Sequence, residues 1–156
     1  MAPDNLPRNP RSPSPEELVE EVLGLLRADL PEDWARLRLD FRDAGISQAV
    51  LSGTRQNGQP LLDPLPAGVS ALLREVRAAM YEPGRGTWFS AHVELRRDAE
   101  PEVRFNFTDD PQWSPTIAPT AFVLDHERFP RDDEHVPDWL AARFAEAAEF
   151  EAEWEG

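Results

Sequence analysis

The chain has 156 residues, with 30 carboxylate side chains against 16 basic ones that are all arginine, a net charge of −14 and no cysteine. That length suits one domain with a self-sufficient core. Counting alone excludes disulfides, thiolate catalysis and Cys-ligated zinc or iron–sulfur centres, and the surplus of carboxylates repels phosphate backbones, so nucleic acid is not an expected partner.

The first ten residues carry no apolar signal-peptide core. No uncharged hydrophobic run approaches the roughly 18 residues that a membrane span needs. A cytoplasmic setting without a membrane partner is therefore expected. Arginine without lysine, alongside abundant Ala, Pro and Gly, fits a GC-rich coding sequence rather than a function.

Residues 1–13 hold Pro3, Pro7, Pro10 and Pro13 with almost nothing apolar, and read as a disordered proline-rich leader. A helix then starts at Ser14 as N-cap, with Pro15 in the first helical position and Glu17 completing a capping box. Leu18, Val19, Val22, Leu23, Leu25 and Leu26 form its apolar stripe. After Leu30-Pro31 the period changes to two: Leu37, Leu39 and Phe41 face inward, Arg36, Arg38, Asp40 and Arg42 outward.

Ile46 to Thr54 reads as an antiparallel partner strand. Gln56-Asn57-Gly58-Gln59 signals a two-residue turn into a short strand around Leu61 and Leu62. Gly68 to Tyr81 has helical spacing through Val69, Leu72, Leu73, Val76 and Met80. Pro83-Gly84-Arg85-Gly86 breaks that helix, and Thr87 to Arg96 alternates again, with Phe89, Ala91, Val93 and Leu95 inward and Trp88, Ser90, His92 and Glu94 outward.

The next strand places Val103, Phe105 and Phe107 inward and Arg104, Asn106 and Thr108 outward, ending at Asp109-Asp110. Asp110-Pro111-Gln112-Trp113 has the residue order of a type I turn. A further short strand is expected at Ala121 to Leu124, and a last helix from Pro137 carries Trp139, Leu140, Phe144 and Ala147. Together these elements predict a single α+β domain over 14–145, an antiparallel sheet of about 4 to 6 strands with helices mainly on one face, and an acidic tail or helix end at 146–156.

Motifs for chemistry are missing. His92, His126 and His135 lack metal-ligand spacing, and neither Asp109-Asp110 nor Asp132-Asp133 sits in a calcium-type loop. Gly68-Val69-Ser70-Ala71-Leu72 lacks the final glycine of a nucleophile elbow, and Gly84-Arg85-Gly86 leads into a strand rather than a helix N-terminus. The sequon Asn106-Phe107-Thr108 falls within a predicted strand. No cofactor, no metal and no catalytic residue are expected.

Two surfaces remain. Pleat parity puts arginines together with Trp88, Ser90, His92, Arg104, Asn106 and Thr108 on one sheet face, and arginine and tryptophan are frequent interface anchors. That face is either open to a partner or covered by the acidic C-terminal helix. From Asp132 to Gly156 nine acids, among them Asp132, Asp133 and Glu134, face the single base Arg143; the stretch reads as a solvated helix face or as a surface for a basic partner.

Leu30-Pro31-Glu32-Asp33-Trp34, the run Val103-Arg104-Phe105-Asn106-Phe107-Thr108-Asp109-Asp110-Pro111, and Phe129-Pro130-Arg131 through Trp139-Leu140 give residues 15–141 an order of features that resembles the YezG-like family of bacterial antitoxins. The leader and the end beyond Ala142 fall outside the pattern. The resemblance implies a non-enzymatic immunity protein that binds a cognate toxin and occludes its active site. An acidic inhibitor matches the basic groove of a nuclease; an NAD-degrading or ADP-ribosylating toxin, or an adaptor role outside toxin immunity, are the alternatives. The expected contact residues are Asp109, Asp110, Trp113, Trp88, Arg104, Asn106, Asp132, Asp133 and Glu134.

Overall fold

The structure is a computed structural model that describes residues 13–155, so the expected leader lies outside the described residues except for Pro13. Helix α1 spans Pro15–Ala28 and opens with the capping box: the Ser14 hydroxyl accepts the Glu17 N–H at 3.1 Å, and the Glu17 carboxylate accepts the Ser14 N–H at 2.8 Å. Strands β1 (Trp34–Asp43), β2 (Ser47–Arg55) and β3 (Pro60–Leu61) follow, then α2 (Val69–Ala79), β4 (Ser90–Arg96), β5 (Glu102–Asn106), α3 (Pro119–Arg128), a 3-10 turn at Asp133–His135, and α4 (Asp138–Glu155). This is an α+β fold with one antiparallel sheet of five strands in the order β3-β2-β1-β4-β5.

Alternation dictates the core. Leu37, Leu39 and Phe41 on β1 and Ala91, Val93 and Leu95 on β4 are all buried, and they meet Leu18, Val22, Leu23 and Leu26 of α1 and Val69, Leu73 and Val76 of α2. A second cluster joins Ala44, Phe89, Trp113, Phe122 and Leu140, with Trp139 packed edge-on against Phe89 and Phe122. Helix α4 runs without interruption past residue 145, so the acidic end is helical through Glu155.

Several expectations change. Ala121 to Leu124 lies inside α3, where Ala121, Phe122 and Asp125 are buried at helical spacing; a short apolar run does not separate strand from helix by itself. The β2–β3 loop uses three residues, Gln56, Asn57 and Gly58: the Gly58 N–H donates to Arg55 O at 2.9 Å, Gly58 has φ 86°, and the Arg55 N–H donates to Gln59 O at 2.7 Å. That is a type I turn closed by a left-handed glycine.

Trp88 does not face outward. Strand β4 begins only at Ser90, so pleat parity stops there. The fully buried Trp88 ring sits 6.1 Å from Phe41 and 5.3 Å from Phe105 in the main core.

Phe107 is not inward either and is 39% exposed. The Asn106 side chain accepts the N–H groups of Thr108 and Asp109 at 3.2 and 2.8 Å and donates to Asp109 O at 2.7 Å, ending the strand at Asn106, two residues early.

The turn at Asp110 to Trp113 is not type I, because Gln112 has φ 56°; the Asp110 carboxylate accepts the Gln112 N–H at 2.9 Å and supports that left-handed residue.

Candidate interaction face

The outer sheet face is a polar grid set by register. Asp40 pairs with His92 and His92 with Arg104; Arg38 pairs with Glu94 and Glu94 with Glu102; Arg42 pairs with Ser90 and Ser90 with Asn106. Every one of these side chains sits at an outward parity position, because the inward positions between them are the core apolar residues.

Glu94 is only 4% exposed, held by Arg36 Nε at 2.8 Å and an Arg96 terminal nitrogen at 2.7 Å. The Arg36 hydrogen bond holds its carboxyl below the ordinary glutamate range; burial opposes this, and the charges of Arg36 and Arg96 reinforce it. Next to it, His92 Nδ1 lies 2.8 Å from Asp40 Oδ1, while Nε2 faces Glu94 Oε1 at 3.5 Å. Both imidazole nitrogens are thus turned toward carboxylates of the protein itself.

A strap closes one end of the face. Arg42 donates through Nε to Pro111 O at 2.6 Å and through a terminal nitrogen to Gln48 Oε1 at 3.2 Å, and Gln48 donates to Ser114 O at 2.6 Å. Between the strap and the grid lies an open basin of about 460 Å³, lined by Arg38, Asp40, Arg42, His92, Arg104, Asn106 and Asp109 among others. Arg38 and Arg104 are exposed, and among the described residues neither has a carboxylate within ion-pairing distance. Among the described residues no acid of α4 pairs with an arginine of this face, and Arg143 pairs within the helix with Glu146 at 2.9 Å.

The expected contact residues separate into four places. Arg104, Asn106 and Asp109 share the basin. Asp110 and Trp113 line a neighbouring cleft of about 140 Å³ with Phe122 and Arg143, but Trp113 is 9% exposed and belongs to the second cluster, so its ring is a packing element. Glu134 lines a groove of about 520 Å³ with Phe107, Thr108 and Arg131. Asp132 and Asp133 are exposed beside that groove's wall, where the Asp132 N–H donates to Gly84 O at 2.7 Å. Trp88 is in the core and takes no part in any of these surfaces.

Sequence reasoning missed the buried ion network. Arg77 pairs with Asp125 at 2.6 and 2.7 Å and with Asp43 at 3.0 Å, and it donates to Trp88 O at 2.6 Å. The signal was present: Asp43 continues the inward parity of Leu37, Leu39 and Phe41, and Arg77 continues the apolar stripe Val69, Leu73 and Val76. Two opposite charges on buried faces imply each other.

Arg131 is the second such group, donating to the carbonyls of Thr87, Phe107 and His135 at 2.6, 2.9 and 3.0 Å. Burial lowers its pKa, and the nearby Arg77 charge adds to this.

Among the described residues no group of three or more His, Asp or Glu side chains is placed to hold a metal ion, and no helix is long and apolar enough to cross a membrane. A comparison of the chain with protein-family models and with curated proteins returns no match.

Proposed function

We propose that this chain is a non-enzymatic immunity protein that binds a toxin domain through the open sheet face and the adjoining Asn106–Asp110 rim. The observation that carries the reading is the grid itself: a sheet face left uncovered by helices, with Arg38 and Arg104 exposed and without an ion-pair partner among the described residues. Exposed arginines above a shallow basin suit recognition of a protein surface, since a guanidinium forms several directed hydrogen bonds at little reorganisation. The Asp40–His92 pair favours binding over catalysis, because Glu94 occupies the side of the imidazole that a substrate would need.

Charge and contact are divided between surfaces. The face carries Arg36, Arg38, Arg42, Arg96 and Arg104 against Asp40, Glu94, Glu102 and Asp109, close to neutrality, while the whole chain is at −14. The surplus acid lies elsewhere, including α4 and Asp132 to Glu134, so it steers a basic partner such as a nuclease toward the protein. The balanced face equally suits a toxin with a neutral cleft, such as one that degrades NAD or transfers ADP-ribose. Salt dependence separates the two: association with a nuclease slows steeply as ionic strength rises, and association with a neutral cleft does not.

The test is to read the neighbouring gene and co-express this chain with any toxin domain it encodes. The wild-type protein restores growth, and the double charge reversal Arg38→Glu/Arg104→Glu abolishes protection while circular dichroism stays unchanged. Full protection by that variant removes the sheet face from the mechanism.

A further inference from the structure

A second opening in the protein has the opposite character. Between the C-terminal end of α1 and the β2–β3 edge lies a pocket of about 380 Å³ walled by Leu26, Leu30, Leu51, Leu61 and Leu65. It exists because β3 is only two residues long and the chain then crosses back over the sheet edge through Asp63-Pro64-Leu65-Pro66. Two prolines hold that crossing extended, so the loop roofs the space without filling it. The volume falls within the range of small-molecule sites, and the walls are mainly leucine, with Ser52 and the backbone of β2 on one side.

The opening is acidic. Asp29 and Asp63 both line the pocket, both are exposed, and neither has an ion-pair or hydrogen-bonding side-chain partner among the described residues. Asp29 is also the C-cap of α1, so the negative end of the helix dipole lies at the same place.

We infer that this pocket binds an aliphatic chain carrying a cationic head, an alkylammonium, with the chain among the leucines and the head between Asp29 and Asp63. An alkyl carboxylate of the same length meets the same walls but the wrong sign at the opening. The site is separate from the sheet face, and its test does not depend on any toxin.

Calorimetric titration of the full chain with butyl-, hexyl- and octylammonium at low ionic strength reads the inference directly. Affinity rises about fourfold per added methylene while the chain still fits, the signature of apolar transfer. Octanoate binds about tenfold more weakly than octylammonium, and the difference shrinks as salt is added or in Asp29→Asn/Asp63→Asn.

Ala67 lies exposed on the pocket lining, so Ala67→Phe places a ring across the opening and abolishes binding. If that variant fails to fold, amide chemical-shift changes in the wild-type protein supply the second reading, and they centre on Leu61 and Leu65. Absence of saturable binding, affinity independent of chain length, equal binding of octanoate, or shift changes confined to other surfaces each overturn the inference.

Discussion

Arg77 and Asp125 form a two-pronged ion pair inside the protein, at 2.6 and 2.7 Å, that ties α2 to α3. The same guanidinium reaches Asp43 at the end of β1 and the carbonyl of Trp88, so one side chain joins the main core to the second cluster. Asp125→Ala leaves a buried cation short of one counter-charge and costs about 3 to 5 kcal/mol in urea denaturation. A loss below about 1 kcal/mol would mean that Asp43 alone satisfies Arg77.

Glu94 links stability to acid. Its native pKa is depressed by Arg36, so its contribution is fully present above the ordinary glutamate value and disappears as pH falls through the lower native value. Glu94→Gln is expected to lower stability near neutral pH and to flatten the acid limb of the stability profile. An acid limb unchanged by the substitution would assign the loss to other carboxylates.

Gly86 is held by its backbone and by its neighbour. It has φ 93°, and a Cβ there runs into the Arg131 side chain that satisfies the carbonyls of Thr87, Phe107 and His135. Gly86→Ala should cost at least about 1 to 3 kcal/mol through left-handed strain and displaced guanidinium bonds. Retention of wild-type stability would show that Arg131 moves aside freely.

Trp113 and its acidic neighbours should respond in opposite ways. Trp113→Ala empties part of the second cluster and is expected to cost about 3 to 5 kcal/mol, whereas charge reversal at the exposed Asp109 changes stability by within about 0.5 kcal/mol and reversal at Asp110, which also loses the Gln112 N–H bond, by about 1 kcal/mol. In the toxin-binding reading that reversal slows association at low salt. Stopped-flow rates unaffected by it would place the rim outside the interface.

Local signals in the chain were sufficient for most of the fold. Leu37-Leu39-Phe41 and Ala91-Val93-Leu95 alternate without interruption, and their inward faces are the sheet's core. Ser14 and Glu17 mark the start of α1 because capping involves only four adjacent residues. On the outer face, Arg104 and Asn106 follow from parity and Asp109 from its place at the strand exit, and the three line one basin, whereas Trp88 was misplaced because parity was carried beyond the start of β4, and Trp113 because it was read as a residue of an exposed turn.

The sequence by itself determined the periodicities, the charge of −14 and the α+β class, since each depends on neighbours within a few positions. Only the tertiary structure decided that Arg77 meets Asp43 and Asp125 across 34 and 48 residues, and that among the described residues no α4 carboxylate pairs with a sheet arginine. It also decided that the β3 crossing leaves an apolar pocket with two aspartates at its opening. Those outcomes depend on how the elements dock, and docking is settled by burial and charge pairing between residues far apart in the chain, which no local window contains.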